Sequence, residues 1–218
     1  MPLPILYTFR RCPYAMRARL GLLLGEAKVE IREIILKAKP SEMLAANPRG
    51  TVPVLVQSNG QVISESLEIM YWALRQGSYS QTIHPLLGQS QSEKTLIDEL
   101  ITLNDQQFKP WLDKYKYADR HPEFTQEDYF IRAAEFLARL ETELNRHQFL
   151  VRDSLSLADY AIVPFIRQFT AVDSKRDLHL HFPRLIQWLT LLIQSTVFHR
   201  AMEKYPVWEQ GQVAIYLE

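Results

Sequence analysis

The 218-residue sequence predicts a small α/β domain over residues 1–77, joined by a linker at 78–90 to an all-helical domain over 91–218. Two observations carry that expectation. Strand-like runs are confined to the first part of the chain, and beyond "HPLLGQSQS" apolar residues recur at helical spacing only.

The elements follow in order. "ILYTF" is a short apolar and aromatic run, "KVEIREIIL" alternates and then turns apolar, "TVPVLVQ" is β-branched, and "QVIS" follows an "SNG" turn. Between these strands "CPYAMRARLGLLLG" carries Met16, Leu20, Leu23 and Leu24 at helical spacing, and "SEMLAANP" is a short helix that ends before Pro48. A third helix fits "SLEIMYWALRQG", starting at Ser66 and stopped near Gly77. The resulting order, β-α-β-α-β-β-α, is too short for a double dinucleotide-binding unit.

In the second part, Leu96, Leu100, Leu103, Phe108, Trp111 and Tyr115 line one long helical pattern, and Phe130, Ala133, Leu137, Leu140 and Leu144 line another. "SLSLADYAIVPFIRQF" supplies a third helix and "FPRLIQWLTLLIQS" a fourth, with Pro183 suited to a first helical position. Ser156 and Asp159 stand three apart before an apolar run, the spacing of a reciprocal N-terminal cap, so their role is expected to be folding rather than acid catalysis.

Bulk composition narrows the function. Lys plus Arg and Asp plus Glu both total 25, so nothing in the global charge suggests a nucleic-acid partner, and none is expected. A single cysteine excludes an intrachain disulfide framework and fits a reducing, cytoplasmic setting. The opening "MPLPILYTFRR" lacks the layout of a secretion signal, and "AIVPFI" and "WLTLLI" are too short to span a bilayer, so no membrane partner is expected. His179 and His181 in "DLHLHFP" have no third ligand at useful spacing, so no metal site is expected.

That single cysteine, Cys12, is the strongest chemical signal. It follows a strand and precedes a proline that opens a helix. Pro13 at the first helical position puts Cys12 at the N-cap, its sulfur facing amides that lack intrahelical acceptors. Those amides and the helix dipole favour thiolate over thiol, and Arg10, Arg11, Arg17 and Arg19 are expected to make the neighbourhood positive. Ala15 occupies the position where a dithiol redox protein has its second cysteine. A mixed disulfide on Cys12 must therefore be resolved by a thiol from solution.

Strand, "CPYA", helix, "NPRGTVPVL", "NGQVISES" and an all-helical second domain together resemble the soluble glutathione transferase family, from about Leu3 to about Tyr205. "SLSLADY" matches that family's capping motif. The cysteine version is similar to omega-type and related bacterial cysteine transferases, which favour thiol transfer and glutathione-dependent reduction over conjugation. The resemblance implies a thioredoxin-like glutathione-binding domain followed by the helical one, glutathione as co-substrate, a small electrophile or disulfide as second substrate, and a homodimer.

Residue by residue, the resemblance implies that Cys12 is catalytic and faces the glutathione sulfur. Val52 would pair its backbone with the cysteinyl part, and Pro53 would be a cis proline shaping that bend. Glu65 and Ser66 would hold the γ-glutamyl end, and Lys39 the glycyl carboxylate, with Lys37 as a rival two residues away. Arg49 and Gly50 read as a turn. Tyr14, Trp111 and Tyr115 are candidates for the second substrate's pocket, although core packing explains the last two equally well, and Tyr7 is expected only to pack. Conjugation or dehalogenation of small electrophiles, and a non-catalytic glutathione-binding or regulatory role, are the alternative functions.

Overall fold

A computed structural model describes residues 2–79 and 84–218. Two compact units divide it, one of residues 1–84 with 195–218, the other of residues 85–194. Residues 80–83 of the expected 78–90 linker lie outside the described residues.

The first unit runs β1 (Ile5–Thr8), α1 (Pro13–Leu24), β2 (Val29–Glu33), α2 (Ser41–Ala46), β3 (Val54–Val56), β4 (Val62–Ile63) and α3 (Ser66–Ala73), the order expected from the sequence. β1 pairs in parallel with β2 and antiparallel with β3, which pairs antiparallel with β4. Because side chains alternate across a strand, neighbours in β1 face opposite layers. Leu6 packs with Ala18 and Leu22 of α1 and Ile69 and Ala73 of α3, whereas Tyr7 packs with Met43 of α2, Ile34 and Val54. The α1 and α3 backbones approach closely at Gly21, where a Cβ would lie 2.7 Å from the Cα of Met70. Any larger residue there would force the helices apart.

The second unit contains α4 (Gln91–Leu103), a π turn (Asn104–Phe108), α5 (Lys109–Lys116), α6 (Gln126–Leu144), α7 (Leu157–Thr170) and α8 (Pro183–Ile193). The long pattern ending at Tyr115 is therefore a helix interrupted by one wider turn. Pro110 explains it, since its ring has no N–H for an i→i−4 bond and clashes with the carbonyl four residues back. Leu100, Phe108, Leu112, Ala133, Leu137, Leu140, Phe165 and Phe169 are buried in this unit.

The Ser156–Asp159 cap is present as the spacing predicts. Asp159 accepts from the Ser156 amide at 2.8 Å and its hydroxyl at 2.7 Å. It also accepts from the Leu150 amide at 3.0 Å and the Trp188 indole N–H at 2.8 Å, so one buried carboxylate joins the start of α7 to the preceding loop and to α8. Among the described residues, no helix is long and apolar enough to cross a membrane.

After α8 the chain returns to the first unit through α9 (Thr196–Ala201) and β5 (Tyr216–Leu217), which pairs antiparallel with β2 and completes the sheet order β4-β3-β1-β2-β5. Residues 195–218, which the sequence reading placed in the helical domain, thus pack with the α/β unit. The Arg19 guanidinium holds the carbonyls of Ala201 and Glu203 at 3.2 and 3.3 Å, and the Trp208 amide donates to the Glu33 carbonyl at 2.8 Å. A two-residue strand made by a pairing partner almost two hundred residues away leaves no periodic signal of its own.

Candidate active site around Cys12

Cys12 is the N-cap of α1, with φ −81° and ψ 124°, and Pro13 follows at the first helical position. Its carbonyl accepts the first helical bond, from Met16 at 2.9 Å, and its amide donates back to Phe9 at 2.9 Å. The side chain is half-buried and makes no capping bond to α1. Its Sγ instead lies 3.8 Å from the carbonyl oxygen of Val52, the residue before a cis Pro53. The fold thus brings two of the sequence candidates into contact across the end of the sheet.

The arginines around Cys12 divide into two pairs, and here the structure corrects the sequence reading. Arg17 and Arg19 are fully buried. The Arg19 guanidinium is paired with Glu33 and lies 5.4 Å from the Tyr205 ring, and that of Arg17 lies 5.6 Å from the Tyr14 ring. Burial holds the Arg19 pKa below its ordinary value, against the opposing pull of Glu33. Arg19 is therefore a structural tie rather than part of an open positive field. Arg10 and Arg11 stay in the loop, the latter exposed with its guanidinium 5.2 Å from the Phe9 ring. The N-terminus of α1, where Cys12 is the N-cap, remains a source of stabilisation for a thiolate.

The remaining candidates lie around a second turn. Asn47 Nδ2 bonds the Thr51 carbonyl at 3.2 Å and hydroxyl at 3.1 Å, and Gly50 closes the turn with φ +63°, a conformation that favours glycine. Lys39 lies against this turn, its Nζ 3.1 Å from where a Gly50 Cβ would stand. Glu65 is the N-cap of α3 and Ser66 its buried first residue. Arg49 spans the gap, one Nη2 donating to both Glu65 Oε1 and Ser64 Oγ at 2.8 Å. The sequence reading gave Arg49 no role beyond the turn, and a partner sixteen residues away has no spacing signature.

Tyr7 packs, as expected. It is 2% exposed and its phenolic oxygen accepts from Arg32 Nη1 at 2.9 Å. Burial pushes the phenol above its ordinary pKa of 10.0, only partly opposed by Arg32, which disfavours a phenolate nucleophile. Tyr115 also packs, against Phe130 and Phe169. Trp111 differs. It is half-buried, stacks on Tyr129 with ring centroids 6.3 Å apart, and lines a cavity of about 220 Å³ with Gln107, Arg132 and Phe136.

With this geometry in place, the comparisons with known proteins define the class. The family models for the glutathione S-transferase N-terminal and C-terminal domains match residues 6–80 and 120–195, together more than half of the chain. The chain belongs to the glutathione transferase family, related to its omega-class and bacterial members. Rat glutathione S-transferase omega-1 is 27% identical over 193 residues, covering 88% of this chain and 77% of its own. Glutathione S-transferase U19 of Arabidopsis thaliana is 27% identical over 197 residues, covering 87% and 85%. A glutathione S-transferase from Methylobacillus flagellatus KT, solved with GSH bound, shares the fold at a TM-score of 0.78 and 20% identity, covering 91% of this chain and 98% of its own.

Proposed function

We propose that this chain is a glutathione-dependent thiol transferase or reductase that works through a mixed disulfide on Cys12. The observation that carries the reading is a lone cysteine at the Pro-started N-terminus of α1, its Sγ 3.8 Å from the Val52 carbonyl. The Cys12 thiolate attacks the glutathione sulfur of a glutathionylated substrate, forming a new S–S bond as the old one breaks. The substrate leaves as a thiolate and takes a proton from water. A second glutathione, as thiolate, attacks the glutathione sulfur on Cys12, releasing oxidised glutathione and restoring the Cys12 thiolate. With no second cysteine in the chain, resolution from within is impossible.

In this reading Val52 presents its backbone to the cysteinyl part of glutathione, next to Pro53. Ser66 and the first-turn amides of α3 receive the γ-glutamyl carboxylate, Glu65 receives its ammonium, and Lys39 meets the glycyl carboxylate. The second substrate is a small disulfide or electrophile. Family membership also supports a two-fold dimer, which sedimentation at high micromolar concentration tests, since a species of 25.5 kDa would exclude it.

The decisive experiment compares wild type with Cys12→Ser. Reduction of a glutathione-capped disulfide is expected to fall by more than about a hundredfold, because a serine hydroxyl is not ionised at neutral pH, while calorimetric glutathione affinity is retained. Turnover that survives the substitution would assign the chemistry to another residue. Binding without turnover in the wild type would identify a non-catalytic glutathione-binding protein.

A further inference from the structure

The loop that carries Cys12 is tied down by a carboxylate from the far end of β2. Glu33 is 9% exposed, and its Oε1 accepts the Arg10 main-chain N–H at 2.7 Å. Its Oε2 takes the buried Arg19 guanidinium, whose Nε donates to Thr8 Oγ1 at 3.1 Å. Thr8 and Arg10, the residues on either side of Phe9, are therefore both anchored. The Phe9 carbonyl is in turn the acceptor for the Cys12 amide. A strand-to-helix loop has little regular bonding of its own, so these contacts fix the loop that leads into α1 and with it the direction of the N-cap sulfur. The Glu33 main chain is also fixed, since its carbonyl accepts the Trp208 amide at 2.8 Å.

We propose that Glu33 is a positioning residue for Cys12: its carboxylate, oriented by Arg19, holds the Arg10 amide and so keeps the thiol at the N-terminus of α1 facing Val52. The inference rests on the assignment of Cys12 as the reacting group. Its physical basis is that a misplacement of about 1 Å at a reacting atom can cost about a hundredfold in rate, whereas the groups assigned to the ends of glutathione lie on other elements. Glu33 itself touches neither ligand nor sulfur in this scheme.

Removing the Glu33 carboxylate alone would strand a buried guanidinium and can unfold the protein, so the test removes both charges together. Arg19→Met with Glu33→Gln keeps a side-chain oxygen for the Arg10 amide, and Arg19→Met with Glu33→Leu does not. Three quantities are read on each: the rate at which iodoacetamide alkylates Cys12 at neutral pH, kcat for a glutathione-capped disulfide, and the calorimetric glutathione Kd. The Leu double variant is expected to lose about tenfold or more in alkylation rate and kcat relative to the Gln double variant, with Kd within about twofold. Equal alkylation rates in two folded double variants would overturn the inference. Alkylation needs no substrate, so a wild type without turnover whose double variants still separate would remove the thiol transferase reading and support the role of Glu33.

Discussion

The sulfur of Cys12 faces the carbonyl oxygen of Val52 across 3.8 Å, joining the start of α1 to the residue before the cis Pro53 that leads into β3. A cysteinyl ligand whose backbone pairs with Val52 must then deliver its own sulfur beside Cys12 and cover it. Glutathione is accordingly expected to protect Cys12 from iodoacetamide. At ten times Kd, simple occupancy slows the reaction about tenfold. Alkylation kinetics measured against glutathione concentration check this, and calorimetric binding without protection would place the ligand elsewhere.

Tyr7 supplies the complementary control. Its phenol is buried, bonded to Arg32 and raised in pKa, so it is a packing residue with one charged hydrogen bond. Tyr7→Phe is expected to keep kcat/KM within about twofold while costing about 1.5–3 kcal/mol of stability for the lost bond to a charged donor. Steady-state kinetics and urea unfolding separate the two effects. A large loss of kcat with normal stability would reopen the tyrosine as a participant.

The stretches legible in the sequence are those whose cause is local. Pro13 after Cys12 set the N-cap, alternation set β2, and the three-residue spacing of Ser156 and Asp159 set the α7 cap. What was not legible depends on partners far apart in the chain. Arg17 and Arg19 read as part of a positive neighbourhood for Cys12, yet both are buried, the partner of Arg19 is Glu33 and two of its acceptors are carbonyls beyond residue 200. The same distance hid the return of residues 195–218 to the α/β unit and the bridge from Arg49 to Glu65. Trp111 and Tyr115 stand one turn apart on α5, but the rings around them differ: Trp111 stacks on Tyr129 at a cavity wall, whereas Tyr115 packs against Phe130 and Phe169.

Asp159 concentrates stability in one side chain. It accepts from two main-chain amides, a hydroxyl and an indole N–H, all within 3.0 Å, and it is fully buried. Asp159→Ala leaves these donors without their acceptor, at about 1–3 kcal/mol for each buried group not rescued by water. A loss of at least about 3 kcal/mol is expected in denaturant unfolding, with glutathione affinity unchanged in the fraction that folds. A cost below about 1 kcal/mol would mean that the cap is dispensable and that α7 is held by packing alone.

His84 gives a stability profile with a defined sign. Its ring is 7% exposed and donates to the carbonyl of Leu24, the last residue of α1. Burial lowers its pKa from the ordinary 6.5, while the bond to Leu24 and the nearby Glu26 carboxylate oppose the shift without cancelling it. The folded state therefore binds a proton less readily than the unfolded chain. Stability from the neutral ring is full above pH 6.5 and is lost as pH falls from 6.5 through the lower folded-state value, by at most about 1.4 kcal/mol per pH unit for one proton. His84→Asn keeps an N–H donor for Leu24 but cannot titrate, so its unfolding free energy is expected to fall less than that of wild type between pH 7 and pH 5. Urea unfolding of both proteins across that range is the measurement. Parallel curves would show that the histidine binds its proton equally in both states, and that its burial against α1 imposes no electrostatic cost.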